Sequence, residues 1–194
     1  MPQVLEESAT RQCVATGRGW IAAEWHDDRW LLSGGLGHGA DAIVLFQETE
    51  PAIPDDERRV ANPVFQQCHA RVFGDKAELL LVGLCGKRHF SGVLAATDHE
   101  VIFEAADRRP ADAALEQIGF RWRLPSARSI ELDGRDARIT ADATKLLITP
   151  VGDDLSPKPE GEGVLSLSAQ FDSQRQPPLT VTYGLRLELG SDTR

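Results

Sequence analysis

Cysteine is scarce in this chain, and that scarcity removes a class of folds. Three thiols, Cys13, Cys68 and Cys85, stand at irregular spacing in 194 residues. They are too few for a disulfide framework and suit free thiols in a reducing compartment, although Cys68 and Cys85 can still pair across neighbouring strands. Zinc-binding patterns are missing as well. The five histidines, His26, His38, His69, His89 and His99, form no HExxH and accompany no C-x-x-C. Cys85 and His89 flank a short turn and can face each other, but two ligands do not make a metal site, so none is expected.

Positive charge is in deficit. Against 30 acidic residues stand 21 Lys and Arg, for a formal net charge of −9. That balance argues against the broad basic footprint that nucleic acid requires, and against attraction to anionic membrane surfaces. Long apolar runs are also lacking. The longest, Ala77 to Cys85, is broken by Glu78 and Gly83, far short of the ~20 residues a helix needs to span a bilayer. The N-terminus, MPQVLEESATRQC, has neither the basic start nor the apolar run of a secretory signal. A cytoplasmic protein that engages neither nucleic acid nor membrane is the expectation.

Cofactor motifs fail on context. The run Ser33-Gly-Gly-Leu-Gly-His38-Gly39 leads into DAIVLFQ, which reads as a strand rather than the helix that a dinucleotide fingerprint must open. Walker and G-x-S-x-G sequences are absent, and no cofactor is expected.

What the chain does have is one repeated pattern: short apolar runs that alternate with polar residues and end in tight turns. GRGWIAAEWHDDRWLLSGG reads as a hairpin with Asp27 and Asp28 at its turn, which sets Trp25 opposite Trp30. Gly34, Gly35, Gly37 and Gly39 then read as a flexible connection to a strand from Asp41 to Gln47. From Thr49 to Pro63 the pattern stops, with three prolines in that stretch, and a surface loop is expected. Val64 to Phe73, Ala77 to Cys85, His89 to Thr97 and Glu100 to Ala106 then read as a meander joined by short polar turns.

One short helix, opened by Pro110 and stopped by Gly119, is predicted next. Phe120, Trp122 and Leu124 share one face of the following strand, while Arg121 and Arg123 share the other. Ser129 to Leu132 and Ala137 to Thr140 form a hairpin about Asp133 and Gly134, and Lys145 to Thr149 adds another strand. A second loop, Gly152 to Gly163, precedes two final strands, Val164 to Phe171 and Leu179 to Leu189.

Roughly a dozen strands exceed what one open twisted sheet usually carries. The reading is therefore an all-β, antiparallel two-sheet sandwich with at most one short helix, forming a single domain over residues 1–194. A closed β-barrel is the alternative. The many strands leave edges that a second copy can cover, so a homodimer is expected to be accessible.

Candidate ligand-binding residues follow from side-chain chemistry. Trp20, Trp25 and Trp30 offer flat faces for sugar rings, against the strong pull of indole burial. Arg121 and Arg123 can clamp a carboxylate or phosphate, against the simpler reading of a mixed-charge solvated face. The Trp-bearing hairpin and the Asp133-Gly134 turn resemble, in pattern, the β-sandwich domains that accompany polysaccharide-processing enzymes. The abundance of Trp-bearing strands and the absence of a recognisable catalytic constellation point to a non-catalytic binding or interaction domain, with carbohydrate as the expected ligand class. Two alternatives stand beside it: an enzyme with His38 as base and Asp41 as orienter near the Gly34 to Gly39 loop, or a barrel that encloses a small apolar molecule.

Overall fold

The computed structural model describes residues 1–49, 62–110, 118–125, 127–141, 144–151, 155–161, 163–169 and 178–189. Sixteen strands are described, in chain order. The first nine are β1 (Gln3–Glu7), β2 (Arg11–Ala15), β3 (Gly19–His26), β4 (Arg29–Leu36), β5 (Ile43–Glu48), β6 (Gln67–Phe73), β7 (Lys76–Cys85), β8 (Arg88–Ala96) and β9 (Glu100–Arg109). The rest are β10 (Ile118–Arg123), β11 (Ala127–Asp133), β12 (Asp136–Ala141), β13 (Thr144–Val151), β14 (Leu155–Pro159), β15 (Val164–Ala169) and β16 (Leu179–Leu189).

They form two antiparallel sheets of eight strands each. The first runs β1-β2-β3-β4-β5-β10-β15-β14 and the second β11-β12-β13-β16-β9-β8-β7-β6. Neither closes on itself, so the fold is an all-β sandwich and not a barrel. Among the described residues there is no α-helix, and none long and apolar enough to cross a membrane.

Alternation builds the core. In β9 every second residue from Val101 to Arg109 is buried, as expected of a strand with one face on a partner sheet. Aromatic rings tie the layers together. Phe46 and Trp122 from the first sheet stack at 4.2 Å, and Phe103 from the second sheet meets Phe120 of the first edge-on at 5.4 Å. Burying Trp122, 1% exposed, stabilises the fold by several kcal/mol, up to about 5.

The hairpin at Asp27 and Asp28 forms as the sequence implies, with Asp27 in the left-handed region at φ 50° and Trp25 paired with Trp30. The β6 to β9 meander forms too. Several expectations need correction. Gly34 and Gly35 are buried strand residues of β4 rather than a flexible connection, because the Phe46 ring lies against Gly34 where a Cβ would sit, 2.5 Å from its nearest atom. The following strand starts at Ile43, and Gly39–Asp41 form a 3-10 turn before it.

Gly119 pairs with Ser168 inside β10 and stops no helix. The expected helix otherwise falls on residues 111–117, outside the described residues, as does most of the loop from Thr49 to Pro63. The region Gly152 to Gly163 contains strand β14, whose prolines Pro157 and Pro159 are tolerated because it lies at the sheet edge. The second hairpin turns about Gly134 and Arg135, since Asp133 pairs with Asp136. All three cysteines are free. Cys85 pairs with Arg88 and Leu84 with His89, so Cys85 and His89 face opposite sides of their sheet and cannot share a ligand.

Candidate functional site

The first sheet opens along β5. That strand pairs with β4 only between Ile43 and Gln47, and with β10 only at Gln47 and Glu48. The N-terminal half of β4 is left without ladder partners on that side, and its amides are satisfied by other means. Leu32 N–H donates to the Glu48 carboxylate at 3.0 Å, and Trp30 N–H donates to the carbonyl of Phe65 at 2.8 Å.

The opposite bank is held by Thr49 and Asn62. Thr49 donates both its N–H and its hydroxyl to the Arg121 carbonyl, each at 3.2 Å. Asn62, 2% exposed, donates to the Thr49 carbonyl at 3.0 Å and accepts from Arg121 N–H at 2.5 Å. Glu48 and Asn62 thus take the place of missing ladder bonds.

The gap is the floor of a groove of about 370 Å³ on the outer face of the first sheet. Strand alternation aims the lining. Glu24 and His26 come from β3, Leu31 and Ser33 from β4, Gln47 from β5, Arg121 and Arg123 from β10, with Thr49 and Val164 at the rims. The register places Arg123 directly beside Gln47.

Charge in the groove is arranged in two banks. On the acidic side Glu24 accepts from Arg11 Nε at 3.0 Å, and Arg11 also pairs with Glu6 at 2.6 Å. Those carboxylates, Glu6 foremost, hold the Arg11 guanidinium above its ordinary pKa. On the basic side Arg121 pairs with Glu160 at 2.7 Å. Arg123 is exposed and its side chain has no hydrogen-bond or ion-pair partner among the described residues. Guanidinium and amide donors, carboxylate acceptors and two hydroxyls therefore face one space, a set suited to a ligand with many polar groups. Among the described residues no group of three or more His, Cys, Asp or Glu is placed to hold a metal ion.

The sequence-derived candidates separate. Arg121 and Arg123 enter the groove. Trp20 lies half-buried on the same outer face, its ring packed against Gly35, and its Nε1 is buried with no acceptor. Trp25 is half-buried and Trp30 is 5% exposed, with Trp30 Nε1 donating to the Gln66 carbonyl at 3.2 Å. His38 and Asp41 are exposed at the 3-10 turn, outside the groove, and no hydrogen bond or ion pair joins them. Ser33, Gln47 and Thr49 were missed from sequence because ordinary polar residues at outward strand positions carry no motif.

A second depression, about 500 Å³, lies on the other sheet over Ser91, Val93, Glu104, Ala106 and Thr182. It is wider but brings only one charged side chain to bear, and no set of polar groups converges there. The fold and groove together define an open two-sheet β-sandwich with a polar cleft on one outer face. No family model matches the chain, and no curated protein sequence matches it.

Proposed function

We propose that this protein is a non-catalytic binding domain that takes a carbohydrate in the groove of the first sheet. The convergence of Gln47, Arg121 and Arg123 with Glu24, Ser33 and Thr49 around one cleft carries the reading. Each sugar hydroxyl both donates and accepts, so it is held by neighbouring donors and acceptors, and the planar amide and guanidinium groups can each engage two oxygens at once. Stacking contributes little in this reading, because no tryptophan presents an open face in the groove. A cytoplasmic location accords with three free cysteines.

The test is a glycan array, followed by calorimetry on whichever saccharide binds. Wild-type protein is expected to bind at least one class, with Arg123→Ala and Gln47→Ala each weakening it by about tenfold, roughly 1.4 kcal/mol. Failure of every saccharide to bind, or binding by both variants as tight as that of wild type, would refute the proposal.

A further inference from the structure

Arg88 opens β8 and Arg109 closes β9, at one end of the sandwich. Alternation turns both side chains inward together with Asp107, and all three are buried, at 2%, 1% and 0% exposure for Arg88, Arg109 and Asp107. Arg88 meets Asp107 side-on, with Nη2 to Oδ2 at 2.5 Å and Nε to Oδ1 at 3.4 Å, while Arg109 Nε donates to Oδ2 at 3.0 Å. Phe90 supports the Arg88 guanidinium, its ring centroid 5.1 Å from the Arg88 Cζ atom.

Pairing through Nε and Nη2 leaves Arg88 Nη1 pointing away from the carboxylate. That nitrogen is buried and has no hydrogen-bond partner among the described residues. A buried donor on a charged group is costly to leave unmade, and such groups in folded proteins call for an explanation. The field is uneven as well: burial and then the neighbouring Arg88 lower the Arg109 pKa, ahead of the opposing effect of Asp107. Simple core packing does not account for this, because an apolar pair would fill the same strand positions without desolvating two cations.

We propose that this end of the sandwich is an oxyanion site, in which the phosphate or carboxylate group of a small ligand accepts from Arg88 Nη1. Asp107 fixes the guanidinium so that its free edge faces the ligand, and Phe90 holds its plane. The site is inside the sandwich and separate from the outer groove, so it stands whether or not that groove takes a sugar.

The experiment titrates the full chain with inorganic phosphate and with acetate at constant ionic strength, using chloride as the reference. Saturable binding of either anion is expected; phosphate alone would identify a phosphoryl ligand and acetate alone a carboxylate. Arg88→Lys keeps a cation for Asp107 but removes the free guanidinium edge, and should weaken binding about tenfold or more, while Lys76→Ala, an exposed cation at the other end of the β7–β8 pair, leaves it unchanged. Should Arg88→Lys not fold, the guanidinium nitrogen resonances of wild-type protein provide the second readout, with Arg88 expected to shift on anion addition. Binding no stronger than chloride, an unaffected Arg88→Lys protein, or an unmoved Arg88 resonance would overturn the site.

Discussion

Trp25 and Trp30 face each other across the β3 to β4 hairpin with ring centroids 5.6 Å apart and planes at 73°. They contribute unequally. Trp30 is buried and donates from its indole to Gln66, tying the hairpin to the chain leading into β6, whereas Trp25 is half-buried. Trp30→Ala should therefore destabilise the protein by about 3–5 kcal/mol, the range for emptying a buried indole site. Trp25→Ala removes mainly the edge-to-face contact and part of a partly buried face, and should cost less. Urea denaturation of both variants checks the ranking, and equal losses would contradict it.

The glycines after this hairpin make a second comparison. A Cβ on Gly34 would lie 2.5 Å from the Phe46 ring, which itself stacks on Trp122, whereas a Cβ on Gly39 meets nothing within 4 Å. Gly39→Ala is opposed only by its left-handed backbone, φ +66°, at about 1–2 kcal/mol. Gly34→Ala must displace an aromatic stack at the centre of the core and should be the more damaging. Thermal unfolding of the pair decides the point.

Much of this fold was legible because it is coded locally. The Asp27-Asp28 turn, the meander and the last strand, Leu179–Leu189, each follow from alternation and turn residues within a few positions. What escaped is coded at a distance. Gly34 looks like a hinge until the Phe46 ring is placed on it. Strands β1 and β14 are edge strands whose charged residues or prolines mask the period of two. The groove depends on β5 and β10, which are separated by the whole meander and meet at only two residue pairs. Arg88, Asp107 and Arg109 sit at inward positions where alternation leads one to expect apolar side chains, so periodicity alone reads them as surface.

The groove arginines should separate binding from stability. The Arg121 to Glu160 pair is 39% and 30% exposed, and surface pairs of this kind are worth about 0–1 kcal/mol. The Arg123 side chain has no partner to lose among the described residues. Arg121→Ala and Arg123→Ala are therefore expected to unfold within about 1 kcal/mol of wild type while binding sugar more weakly. Calorimetry alongside denaturation measures both, and a stability loss well beyond that range would make the arginines structural.

Burial pushes the Cys68 thiol from 9.0 up to about 12. The folded protein favours the neutral thiol, so this stabilisation is fully present below pH 9.0 and is lost as the pH rises toward 12. Thiolate is the reactive form. At pH 8 Cys68 should be alkylated by iodoacetamide far more slowly in folded protein than in urea, as read by mass spectrometry of the modified peptide. Equal rates would contradict the assignment.

Tyr183 is the chain's one tyrosine, so its ionisation can be read without overlap from any other. The residue is 3% exposed and stacks with Phe120 across the sandwich, ring centroids 6.2 Å apart. Burial, reinforced by the negative charge of Asp107, raises its pKa above the ordinary 10.0. Because the folded state disfavours the phenolate, the stabilisation is complete below pH 10.0 and declines as the pH rises beyond it. The tyrosinate absorbance band should therefore appear only together with loss of the far-ultraviolet β signal, in one alkaline unfolding transition. In Tyr183→Phe the stability should fall less steeply through the same pH range, since the ionisable group that favours the unfolded chain is gone. A tyrosinate band that develops while the β signal is intact would show that water reaches the phenol between the two sheets, and that the core around it is open.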